Sequence, residues 1–144
     1  MVVGLWFLGV DLVLMEKSKM SQTNFEKLDI YRLAEKLADK MWNIVVDWNH
    51  LAQDTVGKQI IRSADSIGAN IAEGSGRGSD KDYLRFLKIA RGSLYETKHW
   101  LRRSYKRKLL TGVQVEELRS VIEELTPKLN AYIRSVKMPA KTEG

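Results

Sequence analysis

The chain has 144 residues, enough for one domain with a substantial core, and no cysteine, which excludes disulfides, thiol catalysis and cysteine-bound metal and suits a reducing cytoplasm. Its 24 Lys/Arg against 18 Asp/Glu give a formal charge of +6, the balance of a protein that attracts polyanions or an acidic partner. His50 and His99 are 49 residues apart with no carboxylate cluster of ligand spacing beside either, so neither a metal nor any other cofactor is expected.

Residues 1–14, MVVGLWFLGVDLVL, are apolar except for Asp11. They are too short to span a bilayer and lack the basic start and small-residue cleavage site of a signal peptide. Polar sequence begins abruptly at Met15. We read the stretch as upstream sequence, with translation starting at Met15 or Met20; a membrane-surface anchor or an extra strand are the alternatives. Residues 1–24 are therefore expected to be an extension, disordered or arising from a start placed too early. Residues 25–137 form the domain and 138–144 a tail. A cytoplasmic location without a membrane partner follows.

Four amphipathic stripes run through the domain at helical spacing. The first is Ile30, Leu33, Leu37, Met41, Ile44, Val45 and Trp48. The second, Ile60/Ile61, Ala64, Ile67 and Ile71, is expected to begin at a cap supplied by Asp54 or Thr55. The third opens on an imperfect capping box, Ser79 to Asp82, and places Tyr83, Phe86/Leu87, Ala90, Leu94, Leu101 and Tyr105 on one face as far as Leu110. The fourth starts at Thr111-Gly112-Val113-Gln114 and carries Val115, Leu118, Val121/Ile122, Leu125, Leu129, Tyr132/Ile133 and Val136. Pro127 falls inside it and predicts a kink, or a fresh turn capped by Thr126. Short connections and no strand pattern after residue 20 predict an all-α, antiparallel up-and-down four-helix bundle.

Gly74, Gly76 and Gly78 match neither the Walker nor the dinucleotide phosphate loop, and helices rather than a strand flank them. They predict a left-handed helix stop. Arg77 and the free amides that follow could still hold an anion. Just upstream, Arg62, Ser66, Asn70 and Glu73 form a polar stripe beside small residues. It is a solvated face, a buried polar network or a subunit contact, with Glu96 the partner expected from the third helix.

The charge is concentrated: Lys81 to Lys108 holds ten Lys/Arg against two acids, a local +8. Within it, KHWLRRSYKRK has no acid and interleaves Trp100 and Tyr105 with its cations. Such a face makes salt-sensitive phosphate contacts. The alternative is an ordinary solvated face with Tyr105 in the core. The residues predicted to meet nucleic acid are Arg77, Arg85, Lys88, Lys98, Arg102, Arg103, Lys106, Arg107 and Lys108. No convergent set of acid, base or nucleophile stands out, so no catalytic residue and no enzyme activity are expected.

FEKLDIYRLAEKLADKMW and QIIRSADSIGANIAEGSGRGSDKDYLRFLKIARGSLYETKHWL resemble the four-helix-bundle proteins encoded in intervening sequences of bacterial 23S ribosomal RNA genes. The resemblance is specific in the run from Arg62 to Arg77 and in the pattern Phe86-Leu87, Ala90, Ser93-Leu94, Glu96. It implies a ring-like homo-oligomer, a pentamer, with a tie to RNA more than to DNA. It also implies kinship with the accessory variability proteins of diversity-generating retroelements, basic pentamers that bind a reverse transcriptase and nucleic acid. The chain departs from the commoner pattern at Gly68, Thr97 and Pro127. The expected function is non-catalytic nucleic-acid binding; the alternative is a scaffold for a protein partner such as a reverse transcriptase.

Overall fold

The computed structural model describes Phe25 and residues 28–136. The expected translation start, the extension over 1–24 and the tail from 138 lie outside the described residues. Among the described residues there are four long helical runs and no strand. We number them α1 (Asp29–Val45), α2 (residues 50–75), α3 (Asp80–Lys106) and α4 (Gly112–Ser135). No helix among these residues is long and apolar enough to cross a membrane.

The four stripes converge on one core. Leu37, Met41, Ile60, Ile67, Ile71, Leu87, Leu94, Leu118, Leu125 and Leu129 are fully buried. Burial of these side chains drives assembly, because most of a helix's stability in a protein comes from packing its apolar face rather than from intrinsic propensity. Cross-helix contacts fix the directions. Lys128 near the end of α4 reaches Asp29 at the start of α1, 3.6 Å away, while Lys40 late in α1 reaches Glu117 early in α4 at 3.9 Å. Tyr83 at the start of α3 likewise meets Tyr132 at the end of α4. The bundle is antiparallel, with α2 packed between α1 and α3 and α4 closing the ring of helices against α1.

The second helix starts earlier than its stripe predicts. Asn49 caps it, accepting from the Ala52 amide at 3.0 Å, and Asp54 and Thr55 lie inside a π-helical turn, Gln53–Gly57. That wider turn carries the helix past the end of α1. Gly57 makes room there, since a Cβ on it would stand 2.8 Å from Val45 Cγ1. Gln53 turns back and donates to the carbonyls of Val45 and Val46 at 3.1 and 2.9 Å; Val45 also accepts from the Trp48 amide at 3.0 Å, so together they satisfy the end of α1.

At the glycine turn α2 ends at Ser75, with Gly76 as its cap at φ −90. The left-handed glycine is Gly78, φ 81, two positions beyond the cap. Gly74 serves packing instead. A Cβ there would be 2.7 Å from Phe86 Cβ, so its bare backbone lets α3 pack close to α2. Ser79 then caps α3, accepting from the Asp82 amide at 3.2 Å. Thr111 and Gln114 form the full reciprocal box at the start of α4.

Helix α4 runs through Pro127 without a break. Thr126 caps no fresh turn; its hydroxyl donates back to the Ile122 carbonyl at 2.8 Å. Pro127 and Glu123, whose carbonyl loses its usual partner, are both exposed, so water can take the place of the missing N–H.

Candidate nucleic-acid interface

The basic residues predicted to contact nucleic acid fall into separate groups along α3. Arg77 and Arg85 sit at the glycine turn, their guanidinium carbons 4.9 and 4.7 Å from the centroid of the same Phe86 ring. Arg77 also donates to Glu73 at 2.7 Å, and Arg85 lies 3.8 Å from Asp82. Lys88 is exposed about one turn further on. From Arg85 to Arg102 the helix rises about 26 Å, so one chain does not gather all nine residues into a single patch.

Lys98, Arg102, Arg103, Lys106, Arg107 and Lys108 form the group at the far end. None of these six makes an ion pair among the described residues. The helix stops at Lys106, short of the predicted Leu110, so Arg107 and Lys108 project from its cap and not from its face. The stop is a Schellman turn. The Leu109 amide donates to the Ser104 carbonyl and the Lys108 amide to the Tyr105 carbonyl, both at 3.0 Å. Lys108 occupies the left-handed position at φ 59, where glycine is the low-cost choice. Cations here also complement the negative end of the helix dipole.

From Lys98 onward an open, mainly apolar groove of about 390 Å³ lies between α3 and α4. Leu101, Leu110, Val115, Leu118 and Ile122 line it, and Lys98, Arg102 and Arg119 stand on it with one acid, Glu123. Tyr105 lines the same groove and is 57% exposed, so the expectation of a core tyrosine is corrected. The reason is positional: α3 is about to end there, and no neighbouring side chain closes over the ring. Trp100 behaves in the opposite way. It is half-buried and packs against the core, and its indole N–H donates to Glu96 at 3.1 Å. The aromatic that sequence reasoning missed is Tyr95, 50% exposed with Lys98 Nζ 5.3 Å from its ring centroid. Its spacing of three from Lys98 was the available signal.

The polar stripe of α2 divides. Arg62 pairs with Glu96 of α3, which also receives Trp100. Both charged side chains remain solvent-accessible, so the pair is of the surface kind that contributes little to stability. Ser66 meets Ser93 at 3.0 Å and receives Asn70 at 2.9 Å, while Glu73 turns away to Arg77. The wholly buried contact lies one step inward: Thr97 Oγ1 is 3.0 Å from Ser63 Oγ and donates to the Ser93 carbonyl at 2.8 Å. Ser63 and Thr97 stand at core spacing within the apolar stripes, which is how sequence could have found them. Gly68 lies against Tyr31 of α1, with 3.5 Å between the ring and the position of a Cβ.

A family model for the 23S rRNA-intervening sequence protein matches residues 26–131. Among solved structures, one of a protein of unknown function from the S23 ribosomal protein family of Bacteroides thetaiotaomicron is 27% identical, covering 74% of this chain and 96% of its own, with a TM-score of 0.65. A comparison with curated proteins found no match. The matched span takes in α1, α2, α3 and most of α4, and contains the run from Arg62 to Arg77 that carried the resemblance. This chain therefore belongs to the 23S rRNA-intervening sequence protein family.

Proposed function

We propose that this protein is a non-catalytic nucleic-acid-binding bundle of the cytoplasm, taking RNA in preference to DNA, and that it works as a ring-like homo-oligomer, a pentamer. The observation that carries the reading is the end of α3, where six Lys/Arg between Lys98 and Lys108 have no carboxylate partner among the described residues. Unpaired cations on one surface release the counterions of a phosphate backbone at no cost of breaking an ion pair first. Lys108 supports it further, as a charged residue held where glycine would be cheaper.

Self-association draws support from a different surface. Trp42 and Val46, 56% and 48% exposed, flank Ile61 in an open apolar depression between α1 and α2, a surface a second copy would cover. Repeating the basic ends around a ring would multiply weak phosphate contacts.

The test is fluorescence anisotropy of a labelled structured RNA across a salt series, with the full chain and its Arg102→Glu/Arg103→Glu/Lys106→Glu variant. Binding that weakens as salt rises and disappears in the folded triple variant is expected. No binding at low salt would overturn the reading and favour a scaffold whose basic end meets an acidic protein such as a reverse transcriptase. Light scattering at micromolar concentration tests the assembly, where a mass near 16.5 kDa, that of one chain, would sink it.

A further inference from the structure

Resting on that reading of the basic end, we infer that the preferred ligand is single-stranded, with unpaired bases stacked on Tyr95 and Tyr105. Four residues of α3 make the case. Tyr95, Lys98, Arg102 and Tyr105 recur at steps of three, four and three, which places them along one face of the helix. The order along that face is aromatic, cation, cation, aromatic. Both rings are at least half exposed, at 50% and 57%. Neither hydroxyl makes a hydrogen bond among the described residues; Lys98 Nζ stands 5.3 Å from the Tyr95 centroid, so a base takes the other face of that ring or displaces the ammonium onto phosphate.

The groove beside this face is apolar on its floor and cationic on its edge. Its volume of about 390 Å³ leaves room for a flat ring against Tyr105, over Leu101 and Leu110. A duplex keeps its bases stacked inside and presents only phosphates to such a surface; a single strand offers both phosphates and ring faces. From Tyr95 to Tyr105 the helix rises about 15 Å. Stacked neighbours in a strand are about 3.4 Å apart, so the rings receive bases separated by a few nucleotides, with Lys98 and Arg102 on the phosphates between them. Glu123 is the one acid on the groove and lies on its α4 wall, against three cations, Lys98, Arg102 and Arg119.

The experiment uses the full chain and a labelled RNA strand of about 12 nucleotides, alone and annealed to its complement. The single strand is expected to bind more tightly than the duplex at equal salt. Tyr105→Ala and Tyr95→Ala should each weaken the single strand about tenfold, leaving duplex affinity and the salt slope unchanged, because a ring is lost and no charge. Tyr105→Trp should keep or raise single-strand affinity, and circular dichroism checks that each variant is folded. Equal affinity for strand and duplex, or tyrosine variants that bind the strand like the parent, overturns the stacking inference and leaves the phosphate reading standing. Binding of neither RNA overturns both.

Discussion

The phenol oxygens of Tyr83 and Tyr132 stand 2.7 Å apart, tying the start of α3 to the end of α4. The rings meet edge to face, with centroids 5.8 Å apart. Burial first, and then the bond to Tyr132, push the Tyr83 phenol well above its ordinary value of 10.0. The folded chain therefore holds this proton more tightly than the unfolded chain does. Stability from that difference is complete below the unfolded value and is lost as pH rises past it. Urea unfolding at stepped pH should show stability holding to about pH 10 and falling above, with a shallower fall in Tyr83→Phe. Identical high-pH declines in the two proteins would contradict the assignment.

Two glycines in helices should answer the same substitution with opposite signs. Gly92 lies in the exposed interior of α3 with nothing within 4 Å of where a Cβ would be. Gly92→Ala should stabilise by about 1 kcal/mol, from the chain entropy no longer lost on folding. Gly74→Ala would drive its methyl to 2.7 Å from Phe86 Cβ and 3.0 Å from Tyr83 Cδ2. The Phe86 atom is anchored to the backbone and cannot swing aside, so a loss of about 1–3 kcal/mol is expected. Thermal unfolding of both variants decides it; a stabilised Gly74→Ala would mean that α2 and α3 do not approach as closely as described.

Lys108 sets stability against binding. Its φ of 59 is strained for a residue with a Cβ. Lys108→Gly should raise stability by about 0.5–1 kcal/mol while lowering the magnitude of the RNA salt slope by about 1. Lys108→Ala keeps the strain and loses the charge, so it should weaken binding without the gain in stability. If the two variants are equally stable, the left-handed turn is not what Lys108 costs the fold.

The four apolar stripes, the helical class, the Ser79 and Thr111 caps and the local excess of positive charge were all legible in the sequence. Each depends on residues within a turn or two of one another, and the 3.6-residue period writes such relations directly into spacing. The pairing of Arg62 with Glu96 was legible too, because both stand on the polar edges of facing stripes.

What only the tertiary structure decided concerns ends and neighbours. No glycine marks the stop of α3, so its halt at Lys106 and the placing of Arg107 and Lys108 beyond the helix could not be read from periodicity. Trp100 and Tyr105 share a run of sequence but not a fate: one packs against the core, while the other lies in the open groove between α3 and α4. Gly74 reads as punctuation in the sequence and acts as a contact in the bundle, because the atom it makes room for lies on another helix. A helix period states which residues share a face; which face meets a neighbour, and where that neighbour falls away, is settled by packing between segments far apart in the chain.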